Sequence, residues 1–444
     1  MKNPLSRREF FRRSALTTAG LWVAPYVTTG LRAAEPGDVL LHASIGSSGM
    51  ARSDIEGITR GGRARLVAVA DVDLTKAREL KKDFPEVKIY QDWRELLDKE
   101  KSIHSVNVTV PDHMHAPIAM AAMQLGRHVY CQKPLTHDVY EARQLTEFAR
   151  EKKLVTQMGI QIHSSGTYRE AVRIIQDGTI GKVKEVHTWS GKAWGDSSAR
   201  PERTDPVPAD FNWDAWLGTA AARPFIGNGY YHPGNWRKRL DFGTGTFGDM
   251  GCHIYDPVFK ALALTAPISL RSEGPAPNQW NWAIDARIEY IFPGTAFTEG
   301  KTVKVTWYDG KERPPQEVRP DLGVEKLPDQ GSLFIGTKGV MMLPHIARAQ
   351  LFPEKDFETW QRPKVTENDH WLQFVEACRG NGQTAANFDY AGPLTEAILL
   401  GSVATRFPNA TMQWNAPGLK FTNLPDANQY IRRHYREGWE VKGL

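Results

Sequence analysis

The chain has 444 residues, 41% apolar and 24% charged, which suits a globular protein of two or three domains with no repeat or low-complexity tract. Its formal charge of +5 is concentrated at one end: the first 34 residues carry six basic side chains against one acid, so the remainder is about neutral. That balance sets nucleic acid aside as a partner, because such binding needs a basic face on the folded part.

The N-terminus reads Ser6-Arg7-Arg8-Glu9-Phe10-Phe11-Arg12, then a mildly apolar run at 15–27, then Ala33-Ala34. Basic, apolar and small segments in that order read as an export signal over residues 1–34. The run is too short and too rich in Thr, Gly and Pro for a stable membrane span. The paired arginines before two phenylalanines resemble the bacterial twin-arginine signal. The resemblance implies the twin-arginine export machinery as a partner and a periplasmic or otherwise exported location.

Residues 35–158 read as an alternation of strands and helices. A strand at 39–45 runs into Gly46-Ser47-Ser48-Gly49-Met50-Ala51, then a helix through Ile58, then a strand at 66–70 ending in Asp71. A glycine turn between strand and helix, with an acid about 25 residues on, fits a dinucleotide: glycine allows the tight turn, the helix start faces the pyrophosphate, and the acid binds ribose hydroxyls. Ser48 replaces the second fingerprint glycine and Ala51 the third. Asp71, with Asp73 close behind, favours NAD over NADP. Helices are expected at 74–84 and 93–97. A buried strand at 105–110 stops at Pro111-Asp112-His113-Met114-His115, which places His113 and His115 beside the cofactor. After a helix at 116–125, the strand His128-Val129-Tyr130-Cys131 ends at Gln132-Lys133-Pro134, because proline removes a ladder donor. Lys133 therefore stands at the carboxyl edge of the sheet, where ligands of such folds bind. A helix at 140–152 and a strand at 154–158 complete a doubly wound parallel sheet.

Residues 159–444 read as a second α/β domain. The stretch 190–243 is rich in Gly, Pro, Trp and Tyr without periodicity, and is read as loops covering an active site. Within it, Tyr230-Tyr231-His232-Pro233-Gly234-Asn235-Trp236-Arg237 suits a sugar. Alternating runs at 285–292, 301–307 and 331–336 suggest an open, mostly antiparallel sheet, with helices at 369–378 and 394–405. Asp249 and His253 are four apart and share a face if helical. His163 lies just inside this domain and is expected to touch substrate. The three cysteines, Cys131, Cys252 and Cys378, show no zinc spacing and read as buried thiols; no metal is expected.

Pro-Asp-His-x-His, then Gly-Arg-His-Val-Tyr-Cys-Gln-Lys-Pro-Leu, resembles the Gfo/Idh/MocA family of sugar and polyol oxidoreductases. So do Met158-Gly159-Ile160-Gln161, Asp177-Gly178-Thr179-Ile180-Gly181-Lys182, Trp213-Asp214-x-Trp216-Leu217-Gly218 and Asn387-Phe388-Asp389-Tyr390. The resemblance covers nearly the whole chain after the signal. It implies an NAD-dependent enzyme acting on a carbohydrate, a homodimer or homotetramer built on the open sheet, and a catalytic group of Lys133, Asp249 and His253. His253 would be the base, Asp249 its orienting carboxylate, and Lys133 the donor to the substrate oxygen. Glu-Lys-Pro is the commoner family form; Gln132 loses that carboxylate, which leaves Lys133 free to share in proton transfer. Export implies a tightly held cofactor recycled in place, because free NAD is scarce outside the cytoplasm. Two other readings follow from the same residues: a glycosidase or epimerase working by transient oxidation and elimination, and a non-catalytic sugar-binding protein.

Overall fold

The structure, a computed structural model, describes residues 39–319, 322 and 326–444, so the export signal expected over residues 1–34 lies outside the described residues. The apolar runs of the first half pair with one another, since a strand apolar on both faces must be covered on both. Strands β1 (Leu40–Ile45), β2 (Ala64–Ala70), β3 (Lys88–Tyr90), β4 (Ser105–Val108), β5 (His128–Gln132) and β6 (Thr156–Gly159) form one parallel sheet. Its order, β3-β2-β1-β4-β5-β6, reverses between β1 and β4 and opens a crevice there. Five helices alternate with these strands: α1 (Met50–Thr59), α2 (Leu74–Glu79), α3 (Trp93–Lys99), α4 (His115–Gln124) and α5 (Val139–Lys152). The helix expected over 74–84 ends at Glu79 and passes into a 3-10 turn, Leu80–Lys82.

The second half contains α6 (Gly166–Gln176), α7 (Trp213–Leu217), α8 (Gly245–Ile254), α9 (Asp256–Ala261), α10 (His370–Cys378) and α11 (Phe388–Ala404). Its sheet has nine strands: β7 (Val183–Ser190), β8 (Ser269–Glu273), β9 (Arg287–Pro293), β10 (Thr302–Asp309), β11 (Gln330–Gly336), β12 (Val340–Pro344), β13 (Gln350–Phe352), β14 (Thr411–Asn415) and β15 (Lys420–Phe421). The order is β13-β12-β11-β7-β10-β9-β8-β14-β15, antiparallel throughout except where β7 meets β10. Alternation along β9 buries Ile288, Tyr290 and Phe292 on one face. That face meets α8 and α11: the Phe247 ring stacks near Trp307 at 4.6 Å, and the Tyr290 hydroxyl donates to the Ala397 carbonyl at 2.8 Å.

The irregular stretch before α8 has its own core. Phe211, Trp216, Tyr231, Trp236 and Phe242 are buried against one another, which fixes this covering layer by aromatic burial rather than by a hydrogen-bond ladder. Among the described residues no helix is long and apolar enough to cross a membrane. The three cysteines are free and buried.

Candidate active site

At the carboxyl edge of the parallel sheet, under the aromatic layer, lies a cavity of about 650 Å³. One end is the turn after β1. Gly46 has φ +104°, and a Cβ there would stand 2.2 Å from the Thr109 carbonyl oxygen, so the position accepts only glycine. Gly49, at φ +58°, faces open space and starts α1 without a side-chain cap. The uncapped helix start lies in the cavity wall, an arrangement that favours an anion. Asp71 closes this end. Its Oδ2 accepts from the Ser47 amide at 2.9 Å and hydroxyl at 2.5 Å, and its Oδ1 from the Asp73 amide at 2.9 Å. Burial pushes the Asp71 carboxyl above its ordinary value, against these donors. A bare cradle, an uncapped helix start and an acid in one crevice fit a dinucleotide: pyrophosphate at Gly46–Ala51 and ribose at Asp71.

The other end holds Lys133, delivered by β5. Its Nζ donates to Asp249 Oδ1 at 2.6 Å and to the Asp249 carbonyl at 3.1 Å. Arg237 Nε donates to the same Oδ1 at 3.1 Å, and its guanidinium lies between the Trp236 ring at 4.3 Å and the Trp194 ring at 5.6 Å. Burial opposes ionisation of Asp249, but the two cations more than offset it and hold the carboxyl far below the usual range. The side chains of Lys133 and Asp249 are only 14% and 11% exposed, so solvent screens the pair little.

His253 follows Asp249 by one turn of α8. It is half-buried, outside the wall of this cavity, with its ring 5.5 Å from that of His345. Burial, then Lys133 and His345, push the imidazole down to about 3, while Asp249 pulls the other way. The ring is therefore neutral at ordinary pH.

Other expected site residues divide. Ser47, Ser48, Met50, Ala51, Pro111, His115, Gln132, His232, Trp236 and Arg237 line the cavity. His115 serves there as a strut, with Nδ1 on the Pro134 carbonyl at 2.7 Å and Nε2 on the Val110 carbonyl at 2.8 Å. His113 lies outside the wall, buried, with Nε2 on the Trp216 carbonyl at 3.1 Å. Tyr231 is not a sugar platform in this structure, because its ring is spent in the aromatic core at 1% exposure. Asn235 turns away and donates to the Gly229 carbonyl at 2.7 Å. His163 faces a different cavity, with Nδ1 2.9 Å from Asp256 Oδ2. Among the described residues no group of three His, Cys, Asp or Glu is placed to hold a metal.

Gln132 carries no carboxylate, but its amide meets one from α1. Gln132 Nε2 donates to Asp54 Oδ2 at 2.9 Å, and Asp54 also accepts from Thr109 Oγ1 at 2.8 Å and Trp371 Nε1 at 2.9 Å. Asp54 thus answers Gln132 from α1, while Lys133 has Asp249. Sequence reasoning also missed Asp112, Lys192 and Trp194. Asp112 Oδ2 accepts from the Thr244 amide at 3.1 Å and hydroxyl at 2.8 Å, joining the turn after β4 to the start of α8. Lys192 and Trp194 line the cavity just after β7, which was read as the edge of an irregular loop.

Comparison with known proteins agrees with this geometry. Residues 41–160 match "Oxidoreductase family, NAD-binding Rossmann fold", and residues 167–305 match "Oxidoreductase family, C-terminal alpha/beta domain", both of the Gfo/Idh/MocA family. Together they take in more than half of the chain. Levoglucosan dehydrogenase of Pseudarthrobacter phenanthrenivorans is 25% identical over 193 residues, 43% of this chain and 40% of that protein. Inositol 2-dehydrogenase of Salmonella paratyphi B is 30% identical over 124 residues, 28% of this chain and 37% of that protein. The chain thus spans less than half the length of these curated relatives. In fold it is similar to the WlbA dehydrogenase of Bordetella pertussis, solved with NADH and UDP-GlcNAcA, with a TM-score of 0.60 at 13% identity over 85% of this chain and 98% of that one. It is likewise similar to GenD2 from gentamicin A biosynthesis, solved with NAD, with a TM-score of 0.58 at 17% identity over 86% and 98%. The glycine cradle, the Rossmann strand order and both matched segments place this chain in the Gfo/Idh/MocA oxidoreductase family, with an NAD-binding Rossmann domain over residues 41–160.

Proposed function

We propose that this chain interconverts a hydroxyl and a carbonyl on a sugar or polyol, with NAD held tightly in the 650 Å³ cavity. The observation that carries this reading is the Lys133–Asp249 pair at 2.6 Å in the wall of the same cavity as the glycine cradle. The names of two relatives, levoglucosan and inositol dehydrogenases, support a cyclic polyhydroxylated substrate. Asp71 and Asp73 would repel a 2′-phosphate, which supports NAD over NADP. Gly46–Ala51, Asp71 and Pro111 would hold the dinucleotide. When bound, it supplies two-electron redox chemistry at a substrate C–H bond.

The protein's own groups do the rest. Lys133 Nζ donates to the substrate oxygen and offsets negative charge growing there. Asp249, ionised, anchors the ammonium and Arg237 together. His253, neutral because burial lowers its proton affinity, stands one turn of α8 beyond Asp249 and outside the cavity wall, so it is one step removed from a substrate oxygen held by Lys133. Trp194, half-buried in the cavity wall, offers an apolar face to the C–H surface of a sugar ring.

The twin-arginine-like signal supports a captive cofactor. Protein purified without added nucleotide is expected to release near-stoichiometric NAD(H) on denaturation. Lys133→Met is expected to keep that dinucleotide while turnover falls about 100-fold or more. A protein that neither carries nor binds NAD or NADP would overturn the reading in favour of a non-catalytic sugar binder.

A further inference from the structure

A second cavity, of about 300 Å³, opens at His163, on the far side of β6 from the glycine turn. His163 stands in a 3-10 turn (Gln161–Ser164) and is 4% exposed. Its Nδ1 lies 2.9 Å from Oδ2 of the fully buried Asp256. Asp256 also accepts from the Tyr168 hydroxyl at 3.0 Å and from the Tyr390 hydroxyl. The two phenol rings flank the imidazole at 4.8 and 4.9 Å. The imidazole is thus fixed from three sides, and its Nε2 has no hydrogen-bond partner among the described residues.

The rest of the wall includes Arg169, Arg173, Lys260 and Asn368, and no carboxylate. Arg173 is paired with Asp177 Oδ2 at 3.0 Å. Arg169 donates to the Thr366 carbonyl, and the Lys260 ammonium lies 4.7 Å over the Tyr390 ring. Neither has a carboxylate partner among the described residues, and the Asn368 side-chain amide has no partner there either. Two cations without counter-charge, a free amide and an open imidazole nitrogen thus converge on one small cavity.

We propose that this cavity binds a small oxyanion, a phosphate or carboxylate group, apart from the dinucleotide site. The cations supply charge-assisted donors. The imidazole meets an oxyanion in either form: neutral, its Nε2 accepts from a protonated oxygen; charged, it donates to a bare one. The space is less than half that of the large cavity, which suits a small ion rather than a nucleotide.

The test is calorimetric titration of the full chain with inorganic phosphate and, separately, malonate, in saturating NAD so that the glycine turn is filled. Saturable binding of either anion is expected, and its identity separates a phosphate site from a carboxylate site. Lys260→Gln and Arg169→Gln, both at the rim, are each expected to weaken it about tenfold or more while leaving NAD affinity unchanged. Equal affinity in wild type and both variants, or no heat from either anion, overturns the proposal. His163→Gln, if it folds, is expected to weaken binding as well; a folded His163→Gln of wild-type affinity removes the imidazole from the site.

Discussion

Gln132 and Lys133 are neighbours on one strand end, yet they answer to carboxylates from different helices. Lys133 reaches Asp249 on α8, and Gln132 reaches Asp54 on α1. A second carboxylate at 132 would face Asp54 with Thr109 and Trp371 still donating but the Gln132 donor lost. Gln132→Glu is therefore expected to destabilise the protein by about 2 kcal/mol or more, because a buried donor is replaced by a like charge. Asp54→Asn combined with Gln132→Glu restores an acid–amide pair in reverse order and is expected to recover most of the loss in thermal melts. A double variant no better than the single one would show that the pair is not what matters. Asp54 also sets a pH dependence. Burial pushes its carboxyl from 3.8 up to about 6, against the Trp371, Gln132 and Thr109 donors. The folded state thus holds this proton more tightly than the unfolded one, so stability falls as pH rises from about 4 to about 6, by at most about 1.4 kcal/mol per pH unit for one proton. Asp54→Asn removes that contribution. A proline stop marked Lys133 locally, but Asp249 was joined to it only through the family resemblance, since an i,i+4 pair by itself reads as an ordinary helix contact. The Asp54–Gln132 pair was not legible, since it joins residues 78 apart and depends on which way each side chain turns.

The glycine turn was legible as an element because strand, glycines, helix and acid fall at regular spacings, and the structure gives its two glycines different duties. Gly46→Ala drives a Cβ into the Thr109 carbonyl at 2.2 Å, so little folded protein is expected. Gly49→Ala meets nothing within 4 Å and carries the backbone cost of φ 58°, ψ −124°, a region adopted almost only by glycine, about 1–3 kcal/mol. Its methyl would enter the cradle, so this variant is expected to fold and to bind NAD at least about tenfold more weakly by fluorescence titration. Wild-type affinity in folded Gly49→Ala would mean that the dinucleotide lies elsewhere. Other elements hid for physical reasons. β3 has three residues and no fully buried side chain, too little apolar signal to register. β8, reading Ser-Leu-Arg-Ser-Glu, buries two serines and one leucine without a hydrophobic run. α11 was expected over 394–405. It starts at Phe388, where Asn387 caps it by accepting from the Tyr390 amide at 3.2 Å, and it carries the proline inside its second turn.

At the scale of the whole molecule, the division at 158/159 describes the order of the chain better than its packing. The last residues return to the first half. The Ile431 carbonyl accepts from the Tyr140 amide at 3.0 Å, and the Arg94 guanidinium lies 4.0 Å over the Trp439 ring. The anchor is Arg433, whose Nε lies 3.0 Å from Asp138 Oδ2 and whose Nη2 lies 3.0 Å from Glu141 Oε1 at the start of α5. The Tyr435 hydroxyl donates to the same Glu141 oxygen at 2.6 Å. Nothing in the polar sequence of this tail announced the contact, since its partners lie about 290 residues earlier. Glu141 is 2% exposed, so Arg433→Met leaves a buried carboxylate without its cation. Breaking such a pair costs about 3–5 kcal/mol, which in a chain of this size lowers the melting temperature by about 4–6 °C. Glu141→Gln added to Arg433→Met removes the stranded charge and is expected to return part of that loss. In calorimetry the wild type should unfold in one transition, since the tail ties both halves together, and Arg433→Met should broaden or split it. A variant that melts in one sharp transition at the wild-type temperature would show that the tail only rests on the first domain and that the Lys133–Asp249, Asp112–Thr244 and Trp371–Asp54 contacts suffice to couple the two parts.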